Sequence, residues 1–209
     1  MDKRLKEGHE AFLKEYFSEH QDLFENLAKG QSPHTMVITC SDSRVNPALI
    51  LNAKPGELFI ARNIGNVVPP YQPNLGSTQA AVEYAVNALN IPKIVVMGHS
   101  DCGACAHMYH EHKEGEPHLV HVDDWLKYIE PAKNAAMLEI HANPEKNIFE
   151  STEKHNIVSS VRRLMTYPYI QERLLDGSIE LIGMWYDIAN GKVEVYNLAE
   201  NKFECISNK

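Results

Sequence analysis

Two short segments of this chain carry residue types that bind and use metal ions. Residues 40–44 read Cys-Ser-Asp-Ser-Arg and residues 99–102 read His-Ser-Asp-Cys, each after a short apolar run. A single cysteine at a strand end is usually a small buried residue, but two thiols and an imidazole together suit zinc. A catalytic zinc typically keeps three protein ligands and one exchangeable position. We therefore predict that Cys40, His99 and Cys102 hold one zinc ion (Zn2+).

Asp42 and Arg44 indicate a catalytic site. In an extended segment alternate side chains point the same way, so Cys40, Asp42 and Arg44 are predicted to face one cavity. An arginine fork suits a carboxylate through two parallel hydrogen bonds, which would keep Asp42 ionised. The alternative is an ordinary surface ion pair, which contributes little.

The predicted elements bring the two segments together. Short apolar runs at 35–39, 57–61 and 93–98 are typical of buried strands and alternate with helical patterns, which indicates an α/β fold with a mostly parallel sheet. In the common strand order 2-1-3-4-5, strands one and three are neighbours, and ligands bind at their carboxyl ends. Segments 179–189 and 192–198, joined at Asn-Gly, predict a hairpin that adds an antiparallel edge strand.

Composition narrows the class of protein. The 209 residues are predicted to form a single domain, 1–209, with a helical arm at 1–30. The net charge of −8 and the lack of a basic patch argue against nucleic acid as a partner. Without an apolar run of about 20 residues or a secretory leader, we expect no membrane association and a cytoplasmic location. Four cysteines in that compartment are more typical of ligands or free thiols than of disulfides.

Three motifs carry a resemblance to a known family. Segments 40–45 (CSDSRV), 62–66 (RNIGN) and 98–103 (GHSDCG), together with their spacing, resemble the hallmarks of β-class carbonic anhydrases. Gln31, Val37 and segment 66–71 are more similar to the plant-type branch of that family. The resemblance covers nearly the whole chain, from about Gln31 to the terminal hairpin.

The resemblance implies a function and a set of site residues. The chain would be a carbonate dehydratase, a zinc lyase in which zinc-bound hydroxide attacks carbon dioxide to give bicarbonate and a proton. Asp42 would either ligate zinc or pair with Arg44 to orient the hydroxide. The family implies a homodimer or homotetramer whose cleft lies at the dimer interface. The predicted substrate-binding residues are Gln31, Phe59, Tyr84 and Gly103, the last through its backbone N–H at the start of a helix.

Two other functions are compatible with the same residues. Hydrolysis of carbonyl sulfide or carbon disulfide would use the same site, because those substrates are also linear. A zinc-thiolate redox sensor or a structural zinc module is the alternative of another class, although structural sites usually close with four Cys or His ligands.

Overall fold

The computed structural model describes residues 2–72 and 76–206. Contacts divide the chain into two compact units, one ending at Ser32 and one beginning at Pro33. The first unit is helical, with α1 at Lys3–Ala11 and α2 at Gln21–Leu27, joined by a π-helical turn at Phe12–Phe17 and a 3-10 turn at Ser18–His20. This helical unit corresponds to the predicted arm at residues 1–30. The single domain that would include both units stays a prediction.

The second unit contains a six-stranded sheet in the order β2-β1-β3-β4-β5-β6. Its strands are β1 (Thr35–Cys40), β2 (Leu58–Asn63), β3 (Lys93–His99), β4 (Glu180–Tyr186), β5 (Val193–Asn197) and β6 (Lys202–Cys205). Strands β1 to β4 are parallel, whereas β5 and β6 are antiparallel to their neighbours. The predicted mostly parallel α/β sheet and its order 2-1-3-4-5 are confirmed, and β6 is an additional edge strand that we did not predict.

Strands β1 and β3 are largely apolar because both of their faces are covered. Every residue of β1 is buried, and in β3 all are buried except the first. Met36 pairs with Ile94 in parallel register, so both strands end at the same edge of the sheet. That edge therefore receives Cys40 from β1 and His99 from β3.

Helices cover the sheet and complete the second unit. They are α3 (Pro47–Ile50), α4 (Ser77–Glu83), α5 (Gly103–His107), α6 (Val120–Leu126), α7 (Glu130–Ala142), α8 (Ile148–Leu164) and α9 (Pro168–Leu175). A π-helical turn at Tyr84–Ala88 extends α4, and 3-10 turns lie at Ile64–Asn66 and Lys127–Ile129.

Helix α8 packs directly on β3 and β4. Glycines permit this close approach: a Cβ at Gly98 would lie 2.7 Å from Ile157 Cδ1, and one at Gly183 would lie 2.9 Å from Ile157 Cγ2. Among residues 2–72 and 76–206, no helix is both long enough and apolar enough to cross a bilayer.

The connection after β3 differs from the sequence-based expectation. The sequence pattern predicts a helix over 103–112, but α5 ends at His107 and an irregular segment leads to α6. Gly115 within that segment has φ +88°, a left-handed conformation that suits the turn at residues 114 and 115. A hydrogen bond between His110 and Glu116 holds the irregular segment in a turn.

Candidate metal centre

Three ligand-type side chains meet where β1 and β3 end. Cys40 is the last residue of β1, His99 is the last residue of β3, and Cys102 is the N-cap of α5. One ligand atom from each residue lies within 4.8 Å of the other two. Their exposed fractions are 5%, 0% and 2%, so the cluster is shielded from solvent. The structure therefore brings together the three predicted zinc ligands.

The turn after β3 orients the imidazole. Ser100 N–H donates to Tyr186 O (2.9 Å), and Ser100 Oγ accepts from Ile188 N–H (3.0 Å). His99 Nδ1 donates to Ser100 O over 2.8 Å. Since the proton resides on Nδ1, Nε2 is the ring nitrogen whose lone pair is free to bind a metal ion. Asp101 adopts φ +55° and completes the turn that places Cys102 beside His99.

The donor set fits a zinc ion. His99 Nε2 is buried and has no hydrogen-bond partner within the described parts of the chain, which is costly unless a ligand supplies one. The neighbouring Cys102 thiol and burial raise the pKa of Cys40 to about 12. Cys105 raises the pKa of Cys102 to about 12 in the same way. A thiophilic cation bound here would favour the ionised form of both thiols. It would also pair with the lone pair of the orphaned imidazole nitrogen, so one ion compensates all three groups.

The second predicted pair, Asp42 and Arg44, forms a bidentate ion pair beside the thiols. Arg44 Nε donates to Asp42 Oδ1 (3.0 Å), Nη2 donates to Oδ2 (2.8 Å), and the Arg44 backbone N–H donates to Oδ1 (2.9 Å). These hydrogen bonds hold the pKa of Asp42 well below its usual range. Arg44 Nη2 also donates to Asp101 O (2.9 Å), which ties the two sequence segments together.

Asp42 lies at the edge of the ligand cluster. Its Oδ2 is 3.9 Å from His99 Nε2, and its side chain is 17% exposed. It does not belong to the group of atoms within 4.8 Å of one another. In this conformation the carboxylate is bound to Arg44 and faces the cluster without joining the three close ligands.

Arg62 organises the backbone of the cysteine segment. Its Nε donates to Cys40 O (3.0 Å), and its Nη2 donates to Asp42 O (2.7 Å) and Val45 O (2.7 Å). In addition, Gly65 N–H points to Cys40 Sγ over 3.4 Å. Arg62 and Gly65 lie in the RNIGN motif, but the sequence did not indicate these contacts, because they are to backbone and sulfur atoms.

Glu153 binds the backbone of the other cysteine, Cys102. It is 3% exposed and accepts hydrogen bonds from Cys102 N–H (2.9 Å) and Trp185 Nε1–H (3.0 Å). Burial raises its pKa to about 7. No local signal marks this residue, because it lies in the middle of α8, far from Cys102 along the chain.

The predicted substrate residues are dispersed. Gly103 begins α5 directly after Cys102, next to the ligand cluster. Phe59 pairs with Met36, which lies four residues before Cys40 on the neighbouring strand; at about 3.3 Å per residue and about 4.8 Å between strands, its backbone is about 14 Å from that cysteine. The ring of Tyr84 is 50% exposed and lies 6.0 Å from that of Phe59. Gln31 belongs to the N-terminal unit and is exposed. The roles of these four residues stay predictions.

Comparisons with known proteins agree with this architecture. The family model described as "Carbonic anhydrase" matches residues 35–193. A carbonic anhydrase of Synechocystis sp. is 41% identical over 194 residues, which are 93% of this chain and 70% of the relative.

Solved structures give the same result. The β-carbonic anhydrase CcaA has a TM-score of 0.89 at 38% identity, covering 99% of this chain and 92% of that one. A tetrameric β-carbonic anhydrase from Sordaria macrospora has a TM-score of 0.80 at 30% identity, covering 92% and 94%. The chain belongs to the β-carbonic anhydrase family, so the family inferred from its motifs is confirmed.

Proposed function

We propose that this protein is a zinc-dependent carbonate dehydratase that interconverts carbon dioxide and bicarbonate. The observation that carries the proposal is the buried cluster of Cys40, His99 and Cys102, in which His99 Nε2 has no partner within the described residues. Membership of the carbonic anhydrase family supports the reaction class. The free thiols of the cluster must stay reduced, which favours the cytoplasm.

The side chains around the cluster have separate tasks in this proposal. Bound zinc supplies Lewis acidity, which makes water a nucleophile near neutral pH. The ionised Asp42 accepts a hydrogen bond from the attacking water and so directs an oxygen lone pair towards carbon dioxide. Arg44 holds that carboxylate in place and keeps it deprotonated.

The bond changes are simple. The water oxygen forms a bond to the carbon, one C=O electron pair moves onto its oxygen, and a proton leaves for solvent. Bicarbonate is the product, and the reverse sequence dehydrates it. Gly103 N–H at the start of α5 is proposed to hold a bicarbonate oxygen beside Cys102.

We propose a homodimer or homotetramer with a shared cleft. Within one chain Phe59 is too far along β2 from Cys40 to line that chain's own metal centre. Tyr84, whose ring lies next to that of Phe59 in the same chain, is half exposed and available to a neighbouring subunit. Gln31, Phe59 and Tyr84 are therefore proposed to contact substrate across a subunit interface.

A cysteine replacement tests the metal centre. Cys40→Ser removes one sulfur ligand and should lose both zinc and carbon dioxide hydration. Cys205→Ser is the matched control, because Cys205 is exposed in β6 and lies outside the cluster. Zinc content and stopped-flow hydration should be unchanged in that control. A Cys40→Ser protein that keeps zinc and activity would contradict the assignment.

The same preparations distinguish the alternatives. Carbonyl sulfide hydrolysis predicts sulfide release at a rate exceeding carbon dioxide hydration, measured in parallel. A zinc-thiolate sensor predicts bound zinc with no hydration by the reduced protein at neutral or alkaline pH. The arginine-anchored Asp42 beside the thiols favours catalysis over a sensor, because a sensor site does not need an oriented carboxylate.

A further inference from the structure

A second cluster of metal-binding side chains lies outside the candidate metal centre. Five histidines lie between positions 107 and 121, at 107, 110, 112, 118 and 121. The irregular segment after α5 folds back so that several of these rings lie close together. The ring centroids of His107 and His110 are 5.7 Å apart, and those of His112 and His118 are 5.4 Å apart.

Two of these imidazoles converge on one carboxylate. His107 Nε2 lies 3.0 Å from Asp123 Oδ1, and His112 Nε2 lies 3.9 Å from Asp123 Oδ2. One ligand atom from each of the three residues is within 4.8 Å of the other two. Bond lengths of about 2.0 Å to a tetrahedral ion place its ligand atoms about 3.3 Å apart, so only small side-chain movements are needed.

Two of the three side chains are held in place by helices. His107 is the last residue of α5, and Asp123 lies in the first turn of α6. Their side chains are 24% and 32% exposed, whereas that of His112 is 39% exposed. The site is therefore anchored on two helices and completed by a residue from the irregular segment, with a path open to solvent.

A neighbouring group competes for His112 but is less suited to an ion. His110, His112 and Glu116 also lie close together, yet all three are exposed and all come from the same segment. His110 Nε2 and Glu116 Oε2 form a hydrogen bond of 2.6 Å, shorter than the 3.0 Å hydrogen bond between His107 Nε2 and Asp123 Oδ1, so each group must exchange a hydrogen bond for the ion. The more buried group, built on two helices, is the better preorganised site.

We propose that His107, His112 and Asp123 form a second metal site, which binds a divalent transition cation of the nickel or zinc class. Two imidazoles and one carboxylate suit such ions. Binding through His107 Nε2 requires the tautomer with its proton on Nδ1. The ion joins the end of α5 to the start of α6 and so fixes the segment between them.

Nickel titration of protein that holds one zinc per chain tests this site, because the second site is then free and the two elements can be counted separately. We expect calorimetry to show one nickel per chain while the zinc content is unchanged. Asp123→Asn and His112→Ala should each weaken nickel binding at least tenfold. His141→Ala is the matched control, because His141 is an exposed histidine in α7, outside the cluster.

Several results would overturn the proposal. These are no nickel uptake by the wild-type protein, equal losses in His112→Ala and His141→Ala, and nickel uptake that displaces an equal amount of zinc. Nickel binding by Cys40→Ser should match the wild type. The outcome is therefore independent of whether the catalytic proposal holds.

Discussion

Replacement of Arg62 should loosen the segment that carries Cys40 and Asp42. Arg62→Met keeps a long apolar stem but removes the donors to three backbone carbonyl groups. Water can replace the Arg62 donor at Asp42 O, because that hydrogen bond is exposed to solvent. Cys40 and Val45 are 5% and 0% exposed, so their carbonyl groups are harder to hydrate.

The magnitude follows from those two shielded carbonyl groups. Each lost hydrogen bond costs about 1 kcal/mol, so unfolding free energy should fall by about 2 kcal/mol. Arg62→Lys should be intermediate, because one ammonium group cannot span three carbonyl groups. Zinc affinity should also fall, since the displaced segment supplies Cys40.

Urea unfolding at saturating zinc measures the stability change, and competition with a chelator measures zinc affinity. Arg162→Met is the matched control, because Arg162 is an exposed arginine on α8. We expect that control within about 0.5 kcal/mol of the wild type. If Arg62→Met were equally neutral in both assays, the proposed role of Arg62 would be wrong.

Three further predictions concern the arginine that binds Asp42, the ion pairs of Glu139, and the oligomeric state. Arg44→Ala should bind zinc normally but hydrate carbon dioxide about 10²–10³-fold more slowly by stopped flow; normal turnover would remove Arg44 from the mechanism. Burial opposes ionisation of Glu139, but hydrogen bonds from Lys146, Ser151 and His155 prevail and lower its pKa to about 2. Its stabilisation is therefore present above about pH 4.5 and lost towards pH 2, so the wild-type advantage over Glu139→Gln should shrink by about 1–2 kcal/mol in acid unfolding. Sedimentation should give an even-numbered assembly, and a fully active monomer would contradict the shared cleft.

The sequence was most informative where a strand is buried on both faces. Apolar runs as short as those of β1 and β3 are typical of strands in the middle of a parallel sheet. Parallel pairing of the two strands then requires Cys40 and His99 to meet at one edge. The arginine fork likewise predicted the bidentate pair with Asp42, although residues 43 and 44 form a turn and not the extended segment that was expected. These features depend on local pattern and on a single topological rule.

Features that depend on distant parts of the chain were not predicted. Glu153 approaches Cys102 only because α8 crosses β3 and β4, a packing that glycines permit. Arg62 binds carbonyl groups, which every residue has, so its partners leave no trace in the sequence. Strand β6 is short and largely exposed, and it lacks the apolar alternation that marks a strand.

X-ray absorption at the zinc edge tests the central claim most directly, using protein that holds one zinc per chain. We expect two sulfur ligands at about 2.3 Å, together with nitrogen or oxygen ligands at about 2.0–2.1 Å. Cys40→Ser, if it retains any zinc, should show one sulfur fewer. A wild-type spectrum with no sulfur, or with three or four sulfur ligands, would contradict a centre built from Cys40, His99 and Cys102.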